Sequence, residues 1–486
     1  MDNFLSVDLG AESGRVVRGT LESGKLLLDE ISRFPTGMTR MNGRLHWDVA
    51  RLFEEMKSAF KASGSDAEPK SIGVDTWGVD FALLACDGSM LGLPVAYRDP
   101  RTDGMMEKFF EIVPRTEVYS RTGIQFMQIN TLYQLFAMSQ SGSPLLKTAS
   151  DFLMIPDLFN FLFTGEKTNE FSNATTSQLY NAHEHGWDTR LLEAAGVPPE
   201  IMRDVVMPGT IVGELTADMR AETGLGAVPV IAPATHDTGS AVAAVPASGE
   251  NWAYISSGTW SLMGIETDRP ITDGTALGFN FTNEGGVNNT YRFLKNIMGL
   301  WIVQRCRAGF PEQHDYATLT AMAADSPAFT SLINASDARF LNPASMPDEI
   351  AAFCRETGQP VPGGPGGFVR CALESLALEY RCVAGQLEQV RGKPLERIFI
   401  IGGGTQNRLL CAMTADATGL PVSAGPVEAT SIGNIIVQAR ATGHIGSIEE
   451  ARAVVRESFG IEEYEPGSAF GWDEAFERYM KLKERQ

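Results

Sequence analysis

Phe4-Leu5-Ser6-Val7-Asp8-Leu9-Gly10-Ala11-Glu12-Ser13-Gly14-Arg15 is the stretch that decides the fold. An apolar β-forming run ends in an acid, a turn of small residues follows, and residues 15–21 resume a β-type pattern. Residues 25–34 supply a third such run, so the chain is expected to open as a meander of three antiparallel strands. Backbone N–H groups in a Gly/Ser turn can cradle phosphate, and an acid ending a buried strand can hold a hydrated magnesium ion. A plain hairpin with Asp8 capping its turn fits the same residues equally well.

Trp252-Ala253-Tyr254-Ile255-Ser256-Ser257-Gly258-Thr259-Trp260-Ser261-Leu262-Met263-Gly264 repeats the pattern: strand, Gly/Ser/Thr turn, strand. Just before it, Pro246-Ala247-Ser248-Gly249-Glu250 is small, polar and turn-rich, as a domain boundary should be. The expected division is therefore residues 1–247 and 248–486, each half opening with a β-meander whose first turn faces a common cleft.

Between these landmarks the pattern alternates. Val49, Leu52, Phe53, Met56 and Phe60 share one face of a helix over 47–60. Residues 72–76 and 79–85 read as strands, and 100–200 as mostly helical, with Gly165 stopping a helix that starts near Pro156. A strand over 228–232 leads into a helix at about His236. The Pro/Gly-rich residues 360–367 read as a loop. Val369, Leu373, Leu376, Tyr380, Val383, Leu387 and Val390 then form one apolar stripe on a long helix. A strand over 397–401, three glycines and a helix over 407–418 follow, and the charged tail after Glu449 reads as helical.

The chain has 486 residues, enough for two to four domains at roughly 100–200 residues each. With 40 Lys and Arg against 60 Asp and Glu, its net charge of −20 disfavours nucleic-acid partners, which need a basic track. The same balance disfavours a polybasic membrane surface. No apolar run approaches the roughly 18 residues that span a bilayer, and Asp2 stands where a signal peptide has basic residues. A cytoplasmic protein without membrane or nucleic-acid partners is expected, with monomer and dimer both open. The six cysteines are scattered and form no C-x-x-C, so free thiols are expected, although Cys354 and Cys371 could meet.

The chemistry-bearing motifs are few. There is no G-x-x-x-x-G-K-[ST] and no G-x-G-x-x-G after the first strand. His183-Glu184-His185 allows two rings on one side of a strand, but no third metal ligand accompanies it. Gly73-Val74-Asp75-Thr76-Trp77-Gly78-Val79-Asp80 offers the acids and ring face that a sugar site uses, or a β-bulge beside a buried Trp. In Thr235-His236-Asp237-Thr238-Gly239-Ser240, Asp237 at a strand–helix junction can act as general base toward a hydroxyl, or cap the helix. Ile400-Ile401-Gly402-Gly403-Gly404-Thr405-Gln406-Asn407 ends a strand in glycines that admit a flat ring or a phosphate, or simply make a tight turn.

The order of these motifs resembles the superfamily of sugar kinases, actin and hexokinase, and is most similar to the FGGY carbohydrate kinases. The similarity runs over nearly the whole chain. It is strongest in residues 73–80, Leu93-Pro94-Val95-Ala96-Tyr97-Arg98-Asp99, Thr131-Leu132-Tyr133-Gln134-Leu135, Asn173-Ala174-Thr175-Thr176, His236-Asp237-Thr238, Leu294-Lys295-Asn296-Ile297-Met298-Gly299-Leu300-Trp301 and Gly425-Pro426-Val427-Glu428-Ala429. It implies an α/β protein of two ribonuclease-H-like (actin/hexokinase-type) domains with mixed central sheets around an interdomain cleft. The first domain would bind sugar and carry the first phosphate loop. The second would bind nucleotide, with the tail after about residue 449 able to pack back on the first.

The implied reaction is ATP-dependent phosphorylation of a ketose, L-rhamnulose, at its 1-hydroxyl. L-fuculose or L-xylulose are alternative substrates, and an actin-like ATPase without a sugar substrate is the alternative class. By the same resemblance Asp237 is the catalytic base, and Gly78, His236, Asp237, Thr238 and Asn296 bind the sugar. Ala11, Glu12, Ser13, Gly14, Arg15, Thr259, Gln304 and Gly402 bind ATP, and Asp8 holds Mg2+ through water. Two residues depart from the family pattern. Ala11 stands where the family often has Thr, and Glu12 puts a negative charge beside the phosphate loop, so its side chain must turn outward for ATP to bind.

Overall fold

The computed structural model describes residues 1–64, 68–467 and 471–484. The chain forms two compact units. One comprises Met1–Pro246, Glu266–Phe293 and Ala429–Ser458; the other comprises Ala247–Ile265, Leu294–Glu428 and Phe459–Gln486. Two later segments, Glu266–Phe293 and Ala429–Ser458, thus group with the first unit.

The first unit is built on a six-stranded mixed sheet in the order Thr210–Glu214, Pro229–Ala232, Ser71–Thr76, Asp2–Leu9, Ser13–Glu22, Lys25–Pro35. The opening meander forms as expected, with Asp2–Leu9 antiparallel to Ser13–Glu22 and that strand antiparallel to Lys25–Pro35. Asp2–Leu9 is buried from Phe4 onward, which explains its unbroken apolar run: a central strand is covered on both faces. Ser71–Thr76 and Pro229–Ala232 add parallel to it in turn. Helix Val49–Ser63 buries Val49, Leu52, Met56, Ala59 and Phe60, and Asp48 caps it by accepting from the Arg51 N–H. Residues 100–200 are less uniformly helical than expected. Strand Asp151–Met154 pairs antiparallel with Phe81–Leu84.

Helix Ala429–Ala441 is tied to the central strands by two amides one helical turn apart. The Gln438 side chain donates from Nε2 to the Leu5 carbonyl at 3.0 Å and accepts from Ser71 Oγ at 2.7 Å. Asn434 Nδ2 donates to Asp75 Oδ2 at 2.6 Å and to the Gly73 carbonyl at 3.2 Å. The helix also crosses Asp237–Ala243 at Gly433, where a Cβ would lie 1.7 Å from the Ser240 carbonyl oxygen. Only glycine fits there.

In a second, seven-stranded sheet, the strands that lie wholly or partly in the second unit follow the order Tyr291–Met298, Trp260–Thr267, Trp252–Ser257, Arg397–Ile401, Val422–Ala424, Glu462–Tyr464. Trp252–Ser257 pairs antiparallel with Trp260–Thr267 and parallel with Arg397–Ile401. This is the arrangement of Asp2–Leu9 between Ser13–Glu22 and Ser71–Thr76, so the repeated sequence pattern is a repeated topology. The long helix runs over Gly364–Arg391 and starts inside the segment read as a loop. Pro365 sits in its first turn, where a missing N–H leaves nothing unpaired. Buried Glu379 on this helix receives Lys483 Nζ at 2.5 Å, Tyr479 OH at 2.7 Å and Ser336 Oγ at 2.9 Å, and so anchors helix Trp472–Lys483.

The tail is not all helical. Helices Ile448–Ser458 and Trp472–Lys483 flank strand Glu462–Tyr464, a three-residue edge strand too short to show a period-two pattern. Residues 468–470 of the tail lie outside the described residues. All six cysteines are free thiols, Cys354 and Cys371 included. Among the described residues no helix is long and apolar enough to cross a membrane.

Gln438→Leu should strip buried partners from Leu5, Ser71 and Asn434 at once. Urea denaturation should show a loss of about 1–3 kcal/mol or more; an unchanged midpoint would contradict this role for the amide pair.

Candidate functional site

Parallel pairing lines up the ends of three strands in the first unit. Asp8 and Asp75 are register partners. The next strand, Pro229–Ala232, leads into a bridge between Thr76 and His236, with the Thr76 N–H donating to the Thr235 carbonyl at 2.8 Å. Helix Asp237–Ala243 begins at that point. Asp8, Asp75 and Asp237 thus gather at one sheet edge, the carboxyl ends of parallel strands, where α/β proteins bind ligands.

Each carboxyl is handled differently. Asp8 Oδ2 accepts from Arg15 Nε at 2.9 Å and Nη2 at 2.6 Å. Asp75 is fully buried on Asn434, and burial, reinforced by Asp8, pushes its carboxyl well above the usual range. Asp237 is raised too, chiefly by burial; His236 opposes the shift and Asp8 adds to it. Its Oδ1 accepts from the Thr238 N–H at 2.5 Å and Thr238 Oγ1 at 3.1 Å, with His236 Nε2 3.4 Å away. Its side chain is 28% exposed, and Oδ2 has no hydrogen bond among the described residues. Asp237 is not the helix cap: it is the first helical residue, and His236 occupies the cap position without a side-chain cap bond.

The turn between the first two strands is tied down by Thr36. Its Oγ1 donates to the Gly10 carbonyl at 2.7 Å and its N–H to the Glu12 carbonyl at 3.2 Å, while the Gly10 N–H donates to the Ser13 carbonyl at 3.0 Å. The Ala11 and Glu12 N–H groups have no partner among the described residues, and Glu12 is exposed. Gly14 is buried and Arg15 half-buried. Such a turn offers N–H donors to an anion while its one carboxylate faces solvent.

At residues 73–80 the buried-Trp alternative holds rather than the ring face for a sugar. Trp77 is buried and lies 3.9 Å, centroid to centroid, from Trp47. Both indoles donate to Asp80 Oδ2, Trp47 at 2.6 Å and Trp77 at 3.1 Å, and the Tyr97 N–H adds a third bond at 3.1 Å. Asp80 also receives Gln134 Nε2 on Oδ1 at 3.1 Å. Trp77 is therefore core rather than a ring face for a sugar, and Asp75 and Asp80 have no surface from which to accept a hydroxyl. Gly78 remains part-exposed, and Val79 beside it has φ 68°, a costly conformation for a β-branched residue. Thr176 Oγ1 accepts from the Val79 N–H at 3.0 Å, and Thr131 Oγ1 donates to its carbonyl at 2.6 Å. Asn173 Nδ2 reaches the Thr235 carbonyl at 3.3 Å. The segments 131–135 and 173–176 thus clamp the backbone at Gly78–Val79 and before His236.

Sequence reasoning missed three charged groups here. Glu170 is fully buried; its Oε2 accepts from Thr235 N at 2.9 Å, Thr235 Oγ1 at 2.7 Å and Ser172 Oγ at 2.5 Å. Ser172 Oγ in turn accepts from the His236 N–H at 3.1 Å. Glu284 Oε2 and Arg292 Nη2 lie 3.1 and 3.2 Å from His236 Nδ1. Burial would raise the Glu284 carboxyl, but Arg292 and His236 outweigh it and hold it below its ordinary value. His183 and His185 form no pair: His183 Nε2 meets Thr272 Oγ1 at 3.1 Å, and His185, at φ 55° in a turn rather than a strand, faces Tyr291 OH at 3.4 Å.

The remaining candidates lie in the second unit. Gln304 Nε2 donates to Thr259 Oγ1 at 3.5 Å. Gly402, at φ 86°, ends strand Arg397–Ile401 with a Cβ position 3.1 Å from the Ser257 carbonyl oxygen. Thr259 and Gly402 therefore stand at the ends of neighbouring parallel strands, the counterpart of Gly10 and Thr76 in the first unit. Asn296 lies on Tyr291–Met298, in the second unit and not in the one that carries Asp237.

Two mixed-sheet units with this topology define a sugar-kinase type of fold, and solved structures agree. The chain aligns with a xylulose kinase from Lactobacillus acidophilus at a TM-score of 0.85 and 14% identity, covering 100% of this chain and 98% of that one. A glycerol kinase from Plasmodium falciparum aligns at 0.78 and 14%, covering 100% and 97%. Among curated proteins, a rhamnulokinase from Bacteroides thetaiotaomicron is 46% identical over 98% of both chains. One from Oceanobacillus iheyensis is 45% identical over 95% of this chain and 97% of its own. Residues 3–244 match the N-terminal domain and residues 253–442 the C-terminal domain of the FGGY family of carbohydrate kinases. The chain belongs to that family and is a carbohydrate kinase.

Burial raises Asp80 from 3.8 to about 6, against the bonds from Trp47, Gln134 and the Tyr97 N–H. A carboxyl with a raised folded pKa stabilises the fold below its unfolded pKa and loses that stabilisation as pH rises through the folded one. The stability of wild type relative to Asp80→Asn should therefore fall by about 2 kcal/mol between pH 4 and pH 7, at about 1.4 kcal/mol per unit of pKa shift. A pH-independent difference in urea unfolding would contradict the assignment.

Proposed function

We propose that this chain transfers the γ-phosphoryl group of ATP to the 1-hydroxyl of L-rhamnulose, giving L-rhamnulose 1-phosphate and ADP. The observation that carries the reaction is Asp237, whose Oδ1 is occupied by Thr238 while Oδ2 is left open at the strand edge. The identity of the sugar comes from relatives named rhamnulokinase that are 45–46% identical over nearly the whole chain.

Asp237 takes the proton of the attacking hydroxyl on Oδ2. Its carboxyl is raised from the ordinary value, which brings its basicity nearer to neutral pH. His236, Thr238 and Gly78 bind the sugar beside Asp237, and Asn296 is a further sugar-binding residue. The N–H groups of Ala11 and Glu12, with Ser13, Gly14 and Arg15, receive the phosphates, and Thr259, Gln304 and Gly402 hold the nucleotide. Phosphoryl transfer of this kind depends mainly on positioning and charge stabilisation rather than on covalent help from the protein. The use of ATP supports a cytoplasmic reaction.

Among the described residues no group of three or more His, Cys, Asp and Glu side chains is arranged to hold a metal ion alone. Mg2+ needs only one or two carboxylates when nucleotide phosphates and water complete its shell, so Asp8 fits it. When bound, the ion neutralises charge on the transferred phosphoryl group. An ATPase without a sugar substrate is not favoured: the curated relatives are named as sugar kinases along the whole chain.

ADP release should be measured with ATP, magnesium and L-rhamnulose, L-fuculose, L-xylulose, D-xylulose or glycerol. L-rhamnulose should give the highest kcat/KM, and Asp237→Asn should lower kcat by roughly 10²–10⁴-fold. A higher kcat/KM for another ketose would overturn the substrate, and equal turnover without sugar would overturn the kinase reaction.

A further inference from the structure

We propose that Arg292, balanced by Glu284, is a positioning residue that fixes His236 in the tautomer with its proton on Nε2, directed at Asp237. The inference rests on Asp237 as the acceptor of the sugar proton. All four residues belong to the first unit. Glu284 lies on strand Thr282–Gly285 and Arg292 on strand Tyr291–Met298. Arg292 is 0% exposed, and Glu284 is also buried. A buried guanidinium needs a counter-charge, and Glu284 Oε2 supplies it 3.2 Å from Nη2. Arg292 Nε donates to the Gly285 carbonyl at 2.8 Å, which stops the side chain from swinging away.

With the guanidinium so held, Nη2 meets His236 Nδ1 at 3.2 Å. Arginine has donors and no acceptor. In that contact Nδ1 must be the acceptor, and a neutral ring then carries its single proton on Nε2. Nε2 faces Asp237 Oδ1 at 3.4 Å. A bare Nε2 would set its lone pair against a carboxylate, whereas Nε2–H donates to it. Oδ1 thus receives the Thr238 N–H, the Thr238 hydroxyl and the imidazole, and the proton from the sugar is directed to Oδ2. Glu284 also lies 3.1 Å from Nδ1 and would favour the opposite tautomer, by accepting from an Nδ1–H. Without Arg292 that contact is the only one left at Nδ1, so Arg292 decides the tautomer while Glu284 keeps Arg292 in place.

Long-range proton–nitrogen NMR of the full chain, labelled on histidine nitrogens at pH 8, reads the tautomer directly. Six histidines are present, and the His236 signals are those lost in His236→Gln. Wild type should show Nε2 protonated and Nδ1 bare. The neutral pair Glu284→Gln with Arg292→Met avoids a stranded buried charge. In it the Nε2–H preference should be lost and kcat should fall about tenfold or more, less than the roughly 10²–10⁴-fold that a positioned acid–base group itself contributes. KM for ATP should stay within about twofold. Arg292→Lys retains a donor and should restore the wild-type tautomer.

A wild-type signal with the proton on Nδ1 overturns the inference, as does a double variant with wild-type signals and kcat. If the double variant does not fold, the wild-type and Arg292→Lys spectra still decide. Retention of full activity by Asp237→Asn would instead remove the base assignment and leave the tautomer result standing, so the two failures are distinguishable.

Discussion

The parallel pairing of Ser71–Thr76 with Asp2–Leu9 on one side and Pro229–Ala232 on the other fixes where the acidic groups of the first unit fall. Parallel strands end at the same edge, so a carboxyl at the end of each arrives beside its neighbours. Three carboxylates at one edge repel, and they cannot all ionise cheaply. Arg15 neutralises Asp8, Asp75 is buried on Asn434 with its proton favoured, and Asp237 shares Oδ1 with Thr238 while Oδ2 stays open. The outcome is one carboxyl paired with arginine, one buried with its proton favoured and one with an open oxygen.

Polar groups far apart in sequence hold this edge in shape. Glu170 grips Thr235, Thr176 and Thr131 grip Val79, and Asn434 with Gln438 grips the central strands. Buried bonds of this kind contribute modestly when made but cost about 1–3 kcal/mol each when one partner is removed. They can therefore hold Val79 in its positive-φ conformation, which costs of order 1–3 kcal/mol alone. A backbone held this way keeps Gly78 and the His236–Asp237 turn in place before any ligand arrives.

Local pattern made part of this legible. The unbroken apolar run before Asp8 announced a buried strand, and its echo at residues 252–264 announced the repeated topology. The strand–helix junction at Asp237 was legible as well, but its cap was not: Asp, Thr and Ser near a helix start all look like caps, and backbone angles choose among them. The choice between the two readings of Trp77 and Asp80 was not legible, because their partners Trp47 and Gln134 lie 30 and 54 residues away and nothing local says that an acid is buried under two indoles. Glu284 and Arg292 carry no local signal, since their burial as a pair comes only from the fold. Asn434 and Gln438 did leave a signal, two amides four apart in an otherwise small and apolar helix.

Single-turnover transfer with excess enzyme over ATP tests most directly whether Asp237, held at this strand edge, activates the sugar hydroxyl. ATP binding and sugar-phosphate formation would be followed separately for wild type and Asp237→Asn. The expected result is a similar ATP affinity in both, with stoichiometric L-rhamnulose 1-phosphate from wild type and transfer slowed roughly 10²-fold or more in the variant. Transfer at the wild-type rate by Asp237→Asn would contradict it.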